Sequence, residues 1–203
     1  MTAMNPLKSS KQKVADKAEA ILAGAMQEFI TCGYAAASMD RIAVAAGVSK
    51  PTLYSYFQGK EGLFTALIGQ MSQSDRLLDE ERFLQHPIRE SLHLIAIDFL
   101  DKFSGEQPLL TLFRLIIGES GRFPDLAQTF VRNFEKPIVE KMSYLFAHHP
   151  DLNVADPEIT ARFFIGNMVH YAIVQEILNG RGILPMERDR FVTGSINLIV
   201  GGK

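Results

Sequence analysis

Apolar residues recur along this chain at intervals of three and four positions, which is the spacing of one face of an α-helix. No segment alternates apolar and polar residues over the length of a strand. The pattern therefore predicts an all-α protein of about nine helices with no sheet. The longer stripes lie in residues 14–32, 60–71, 88–103, 109–120, 125–148, 157–178 and 186–200.

Two short helices are predicted between the first stripe and the second. Ser38 and Ser49 are each placed to cap a helix, and Pro51 lies in a first turn, where its missing N–H does no harm. Gly47 separates the two helices at a point where a left-handed conformation costs glycine little. Short helices joined by a glycine turn form a helix-turn-helix, whose second helix enters the DNA major groove.

The second short helix, over residues 50–57, has two unlike faces. Leu53 and Phe57 are four residues apart and are expected to point inward together. The outward positions carry Lys, Thr, Ser and Tyr but no acid, and these side chains bond phosphates and base edges. Spacing alone leaves a plain helical hairpin open, because many all-α proteins contain such a pair and bind no DNA.

The same stretch resembles the signature of the TetR family of bacterial transcriptional regulators. The matching residues are Ala43, Gly47-Val48-Ser49, Thr52-Leu53-Tyr54, Tyr56-Phe57 and Lys60-Glu61, and the similarity extends back through Ala20-Ile21-Leu22, Phe29 and Gly33-Tyr34. The resemblance implies a helix-turn-helix DNA-binding domain in residues 1–59 and a helical ligand-binding and dimerisation domain in residues 60–203. It also implies a homodimer whose last two helices form a four-helix bundle.

Seven side chains are candidates for DNA contact. We assign phosphate contacts to four of them and base reading to the other three, according to the groups that each side chain can bond. Residues 1–13 are predicted to add a mobile basic arm, although a merely solvated terminus remains an alternative. The phosphate candidates are Ser38, Tyr54, Tyr56 and Lys60, and the base-reading candidates are Lys50, Thr52 and Ser55.

The distribution of charge agrees with this assignment although the net charge is only −2. Residues 1–60 contain seven basic and four acidic residues, whereas residues 61–203 contain 14 basic and 19 acidic residues. The positive charge therefore lies with the helix-turn-helix, and the acidic remainder would keep other surfaces away from DNA.

The last two helices are apolar on more faces than one core requires, which indicates an interface. One polar group interrupts them, because Asn167, His170 and Tyr171 share a helix face. This group is either a hydrogen-bonded cluster at the dimer seam or the polar end of a ligand cavity. Arg114, beside Phe113 on a short apolar helix, is either a buried pair member or a ligand contact. The candidate ligand-binding residues are thus Phe113, Arg114, Asn167, His170 and Tyr171.

These features predict a homodimeric transcriptional repressor that leaves a palindromic operator when a small, partly apolar effector binds. A DNA-binding regulator without an effector, either a constitutive repressor or an activator, is the alternative. A helical-bundle enzyme is a remote one, because no catalytic motif, metal-ligand pattern or cofactor motif occurs. A single cysteine, no apolar run of 18 residues and no signal-peptide pattern together predict a cytoplasmic protein without a membrane span.

Overall fold

The computed structural model of the chain describes residues 6–74, 83–105 and 107–201. Within these ranges the chain forms nine helices and no strand, so the all-α prediction is confirmed. Helices α1 to α4 span Pro6–Ala36, Met39–Ala45, Lys50–Tyr56 and Lys60–Ser74, and helices α5 and α6 span Ile88–Lys102 and Pro108–Glu119.

Two of the last three helices include a π-helical turn. Helix α7 consists of Pro124–Phe130, a π-helical turn at Val131–Glu135, and Lys136–His148. Helix α8 spans Pro157–Ala172 and ends in a π-helical turn at Ile173–Ile177, which is followed by a 3₁₀ turn at Gly180–Gly182. Helix α9 spans Arg188–Val200.

The irregularity before Pro137 is the π-helical turn of α7. Proline lacks the N–H that would bond the carbonyl one turn earlier, and its ring crowds that carbonyl. The wider turn at Val131–Glu135 ends two residues before Pro137 and accommodates both effects. The helix therefore continues to His148 and does not break.

Helix α1 is longer than predicted at both ends. Residues 6–13, which we expected to belong to a mobile basic arm, are helical, and Pro6 occupies a first position that proline tolerates. The rest of the predicted arm, residues 1–5, lies outside the described residues. Gly33, directly after the predicted stripe of residues 14–32, is a kink with φ 77°, and the helical segment continues beyond it to Ala36.

The chain packs as two compact units, one comprising Met1–Gln70 with Leu115–Phe130 and the other comprising Met71–Arg114 with Val131–Lys203. The first unit buries Ile21, Phe29, Ile42, Leu53 and Phe64. In the second unit, α8 packs against α5, α9 and the C-terminal segment of α7. The predicted division into a DNA-binding domain ending at residue 59 and a ligand-binding domain starting at residue 60 stays a prediction. Across the residues that the structure describes, no helix has the length and apolarity needed to cross a membrane.

Glu28 connects α1 to the start of α2. Its Oε1 accepts hydrogen bonds from the backbone N–H of Ser38 at 3.0 Å and from Nε of Arg41 at 2.6 Å. Arg41 also donates to the carbonyl oxygen of Ala36 at 2.6 Å. Burial would raise the pKa of Glu28, but the bonds from Ser38 and Arg41 outweigh burial, and the pKa lies below its ordinary value of 4.5.

A lowered carboxyl pKa makes a contribution to stability that is present above the unfolded pKa and is lost as the pH falls through the folded pKa. Glu28→Gln should therefore lower the free energy of unfolding by about 1–3 kcal/mol at neutral pH, because Arg41 loses its charged acceptor. The difference from the wild type should shrink below pH 4.5. Urea unfolding of the variant and the wild type, at neutral pH and again below pH 4.5, measures both effects.

The matched control is Glu19→Gln on the exposed part of the same helix. This variant should retain the wild-type stability at both pH values. An equal loss in Glu28→Gln at neutral and acid pH would show that the carboxylate charge has no part in the effect.

Candidate nucleic-acid interface and ligand cavities

The turn between α2 and α3 has the backbone conformation that the sequence predicted. Gly47 has φ 65°, and the N–H of Val48 donates to the carbonyl oxygen of Ala43 at 3.0 Å. The Ser49 Oγ accepts the Thr52 N–H at 3.2 Å and so caps α3. The turn therefore fixes where α3 begins, and both serine caps are confirmed, since Ser38 Oγ accepts from the Asp40 N–H at 3.3 Å.

Helix α3 presents a polar, acid-free face to solvent. Leu53 is fully buried, while Lys50, Tyr54 and Ser55 are exposed and Thr52 is half-buried. The helix contains no carboxylate from Lys50 to Tyr56. The exposed groups are thus hydrogen-bond donors or hydroxyls, which match phosphate oxygens and base edges.

The base-reading candidates already have partners within the chain. Lys50 Nζ lies 2.7 Å from Asp40 Oδ1, a contact that raises the pKa of Lys50 above its ordinary value. The hydroxyls of Thr52 and Ser49 are 2.8 Å apart, and Ser55 Oγ donates to the Thr52 carbonyl at 2.6 Å. All these contacts are at the surface, where an exchange of partners costs little.

Lys60 has a structural role that its sequence position did not reveal. Its Nζ donates to the carbonyl oxygens of Tyr34 and Ala35, each at 2.9 Å, and lies 5.2 Å from the centre of the Tyr34 ring. These bonds satisfy carbonyls at the C-terminal end of α1. Because an ammonium group has three N–H donors, one remains for another acceptor.

The two remaining phosphate candidates differ in their exposure and in their bonds. Ser38 is half-buried, and its N–H and Oγ both take part in the start of α2. Tyr56 is half-buried at the end of α3, with its ring 6.3 Å from that of Phe57.

The structure does not bring the five ligand-binding candidates into one cavity. Asn167 donates to the carbonyl oxygen of Phe163 one turn earlier, and His170 is exposed. Arg114 is exposed and donates to the Glu176 carbonyl at 2.7 Å, while Phe113 packs edge-on against Phe103. The remaining candidate is Tyr171, whose buried side chain donates to the Met186 carbonyl at 3.3 Å.

Two cavities among the described residues of the second unit differ in their chemistry. The larger has a volume of about 680 Å³ and is open and mostly polar, with Tyr171, Arg181 and Arg188 in its wall. The smaller has a volume of about 40 Å³ and lies between aromatic, aliphatic and methionine side chains of α5, α6, α7 and α8, together with Lys102. Only the first contains a residue from the predicted ligand-binding set.

Sequence reasoning missed Glu28 and Arg41, which position the helix-turn-helix, and Lys102 in the apolar cavity. The sequence did contain a sign that Glu28 is buried, because this acid lies immediately before Phe29 of the apolar stripe. Lys102 lies within the predicted stripe of residues 88–103, but nothing in the spacing showed that an apolar cavity lies beside it. Within the described part of the chain, no cluster of His, Cys, Asp and Glu is arranged to hold a metal ion.

Two protein families match separate parts of the chain. The family described as "Bacterial regulatory proteins, tetR family" matches residues 21–67. The family described as "AefR-like transcriptional repressor, C-terminal domain" matches residues 90–201. The first match covers α2, the turn and α3, and the second covers more than half of the chain.

Alignments with similar proteins cover most of the chain. The uncharacterized HTH-type transcriptional regulator YhgD of Bacillus subtilis is 29% identical over 157 residues, which are 72% of this chain and 77% of YhgD. The structure of the flavonoid-responsive regulator FrrA is 30% identical, with a TM-score of 0.67 and coverage of 89% of this chain and 91% of FrrA.

A third comparison extends the similarity of fold. The structure of a TetR-family regulator from Mesorhizobium loti has a TM-score of 0.74 at 23% identity, and the alignment covers 91% of this chain and 95% of that protein. The helix-turn-helix geometry, the two family matches and these relatives agree. The chain belongs to the TetR family and is a DNA-binding transcriptional regulator, not an enzyme.

Proposed function

We propose that this protein is a homodimeric repressor that binds a palindromic operator and is released from it by a small, partly apolar effector. The observation that carries the proposal is the acid-free face of α3, which is held at a fixed angle by a capped glycine turn. The match to a family described as a transcriptional repressor supports the sign of regulation.

The base-reading residues in this proposal are Lys50, Thr52 and Ser55. Lys50 is 53% exposed and its partner Asp40 is 65% exposed, so the ion pair is weak and can be exchanged for a base edge. The Thr52 and Ser55 hydroxyls lie along the same short helix and can rotate to new acceptors. Together they form a compact reading surface on α3.

The phosphate contacts in this proposal come from Ser38, Tyr54, Tyr56 and Lys60. Tyr54 is 46% exposed on α3, and its hydroxyl can donate to a phosphate oxygen without leaving a buried group unpaired. Lys60 would use the N–H that its two carbonyl partners leave over. Because Lys60 also holds the end of α1, its substitution would affect folding as well as binding.

Exposed apolar residues on α8 and α9 support the dimer. Ile159, Phe163, Gly166 and His170 follow each other at intervals of four, three and four residues, and all are exposed. Ile159 is 61% exposed and Phe163 48%, while Leu198 on α9 is 76% exposed. This stripe, facing a second copy, would remove apolar surface from water, and Gly166 has the open space that a close helix contact needs.

The effector part of the proposal is supported by the apolar cavity of the second unit, since a partly apolar molecule gains most from an apolar wall. FrrA is described as a flavonoid-responsive regulator, which supports an organic effector for this chain. The small volume of about 40 Å³ is the observation in favour of the alternative, a regulator without an effector.

Selection of bound DNA from a random pool should yield a palindrome, and variants should then separate base reading from phosphate contact. Lys50→Ala and Thr52→Ala should relax preference at particular positions by about 1–3 kcal/mol, because each removes a group that contacts a base edge. Tyr54→Phe should weaken binding to all sequences by a similar factor. Binding constants for the consensus and its single-base changes measure this.

Lys136→Ala in the second unit is the control for loss of a lysine, since this side chain is 66% exposed beside Glu140. It should leave affinity and preference unchanged. Unaltered preference in both Lys50→Ala and Thr52→Ala would refute their assignment as base readers.

Phe163→Glu should convert the protein from a dimer to a monomer, because it places charges on the apolar stripe of both copies. Sedimentation velocity measures the change in mass. Operator affinity should fall in parallel, since two linked half-site contacts become separate ones. Tyr144→Glu is the control, because this side chain is 46% exposed and belongs to α7, not to the stripe on α8. A Phe163→Glu variant that remains dimeric would exclude the stripe as the main interface.

A further inference from the structure

The first unit contains a cavity of about 230 Å³ beside the start of α4, the helix that directly follows the helix-turn-helix. The wall comes from the end of α1, the first turns of α4, and the start of α7 with the turn before it. All these segments belong to the first unit. The cavity is therefore separate from both cavities of the second unit.

Tyr34 supplies this cavity with a hydroxyl that has no partner. The residue is 5% exposed, and its ring centre lies 5.1–6.0 Å from those of Phe29, Phe64 and Phe123. Its hydroxyl forms no hydrogen bond with the residues that the structure describes, yet the oxygen is not sealed from water. Since Tyr34 is part of the wall, the hydroxyl opens into the cavity. A buried tyrosine normally finds a hydrogen-bond partner, so this one has a place for a ligand group.

Two acids in the wall also lack a partner. Glu61 lies in the first turn of α4 and Asp125 in the first turn of α7, and both are exposed. Within the described ranges, neither carboxylate forms a hydrogen bond or an ion pair. Burial raises the pKa of Tyr34 to about 12, and the nearby charge of Glu61 adds to this effect. The hydroxyl is therefore protonated at neutral pH, and its oxygen can still accept a hydrogen bond.

The basic residue of the wall, Arg122, does not cancel both acids. Its Nη1 lies 3.9 Å from Oε2 of Glu119, and its guanidinium carbon lies 5.7 Å from the centre of the Phe123 ring. Arg122 thus has a carboxylate and an aromatic neighbour of its own. Lys60 lies outside the wall and donates to the Tyr34 and Ala35 carbonyls. With two carboxylates against one guanidinium, the wall keeps an excess of negative charge.

We propose that this cavity binds a small primary amine in its ammonium form, carried on an aromatic or other apolar body. The inference goes beyond the proposed function, since the site is distinct from the apolar cavity assigned to the effector. The ammonium group has three donors, of which one bonds the Glu61 carboxylate and another the Tyr34 oxygen. The body packs against the rings of Tyr34, Phe64 and Phe123, which also attract a cation near their faces.

The size and charge of the wall exclude other classes of ligand. A volume of about 230 Å³ lies below the roughly 300–1,000 Å³ of sites for drug-sized molecules, so the body is limited to about one ring. An anion would meet two unpaired carboxylates and be repelled. A neutral alcohol of the same shape would fit the rings but would give Glu61 only a neutral donor, which forms the weaker bond.

Calorimetric titration of the full chain with 2-phenylethylamine, 2-phenylethanol and phenylacetate tests the proposal, because the three probes share a ring and differ in charge. The wild type should bind the amine at least about tenfold more tightly than the alcohol, as expected for one charged hydrogen bond. Phenylacetate should bind more weakly than the alcohol.

Two variants locate the amine. Glu61→Gln should lose most of the preference for the amine over the alcohol. Tyr34→Phe keeps the ring and should weaken binding of the amine about three- to tenfold, as expected for one neutral hydrogen bond. Glu19→Gln, which removes an exposed acid of α1 outside the wall, should bind all three probes as the wild type does. Far-ultraviolet circular dichroism shows that each variant is folded.

The proposal is overturned if the amine does not bind the wild type or is not preferred to the alcohol. Binding of phenylacetate as tight as that of the amine would assign the cavity to anions through Arg122. A folded Glu61→Gln variant that keeps the preference, or a Tyr34→Phe variant with wild-type affinity, would place the amine elsewhere. Loss of the preference in Glu19→Gln would attribute it to the overall charge of the helix and would also overturn the site.

Discussion

The bond between the Glu28 carboxylate and the first residues of the helix-turn-helix is the contact on which the DNA-reading geometry depends. Glu28 projects from the long helix α1 and fixes the backbone N–H of Ser38, while Arg41 closes the arrangement by bonding Glu28 and the Ala36 carbonyl. A charged group that satisfies a helix start and a guanidinium at the same time holds both in one position. The angle at which α2 leaves α1, and hence the placement of α3, follows from it.

Close packing makes this arrangement possible. A Cβ added to Gly24 of α1 would lie 3.2 Å from the Ala46 nitrogen and 3.3 Å from the Ile42 carbonyl oxygen, so α1 approaches the end of α2 more closely than a residue with a Cβ would ordinarily permit. Small residues at the crossing bring Glu28 within reach of Ser38. The Lys60 bonds to the carbonyls of Tyr34 and Ala35 then hold the other end of the same turn. Ionic contacts and small residues thus hold α1 against α2, from which the short helix α3 continues.

Helix α8 presents different chemistry on its two sides. Phe164, Ile165 and Met168 are buried and line the apolar cavity, whereas Ile159, Phe163 and His170 are exposed. In the proposed dimer, the exposed side would form the seam and the buried side would form the effector site. A ligand that repacks the buried side would then act on a helix that also belongs to the interface. The proposed function requires such a connection between effector and partner.

The sequence by itself determined the helices, their caps, the glycine turn, the absence of acid from α3 and the family, because these features depend on neighbours within a few residues. Ser38, Gly47 and Ser49 are examples, since each acts on its own turn. Only the tertiary structure decided the role of Glu28, the partners of Lys60 and the outward position of His170. Lys60 meets a carbonyl 26 residues away, and Glu28 meets an amide 10 residues away. Periodicity identifies the faces of a helix, but which face meets a cavity, another helix or water is fixed only when the helices pack together.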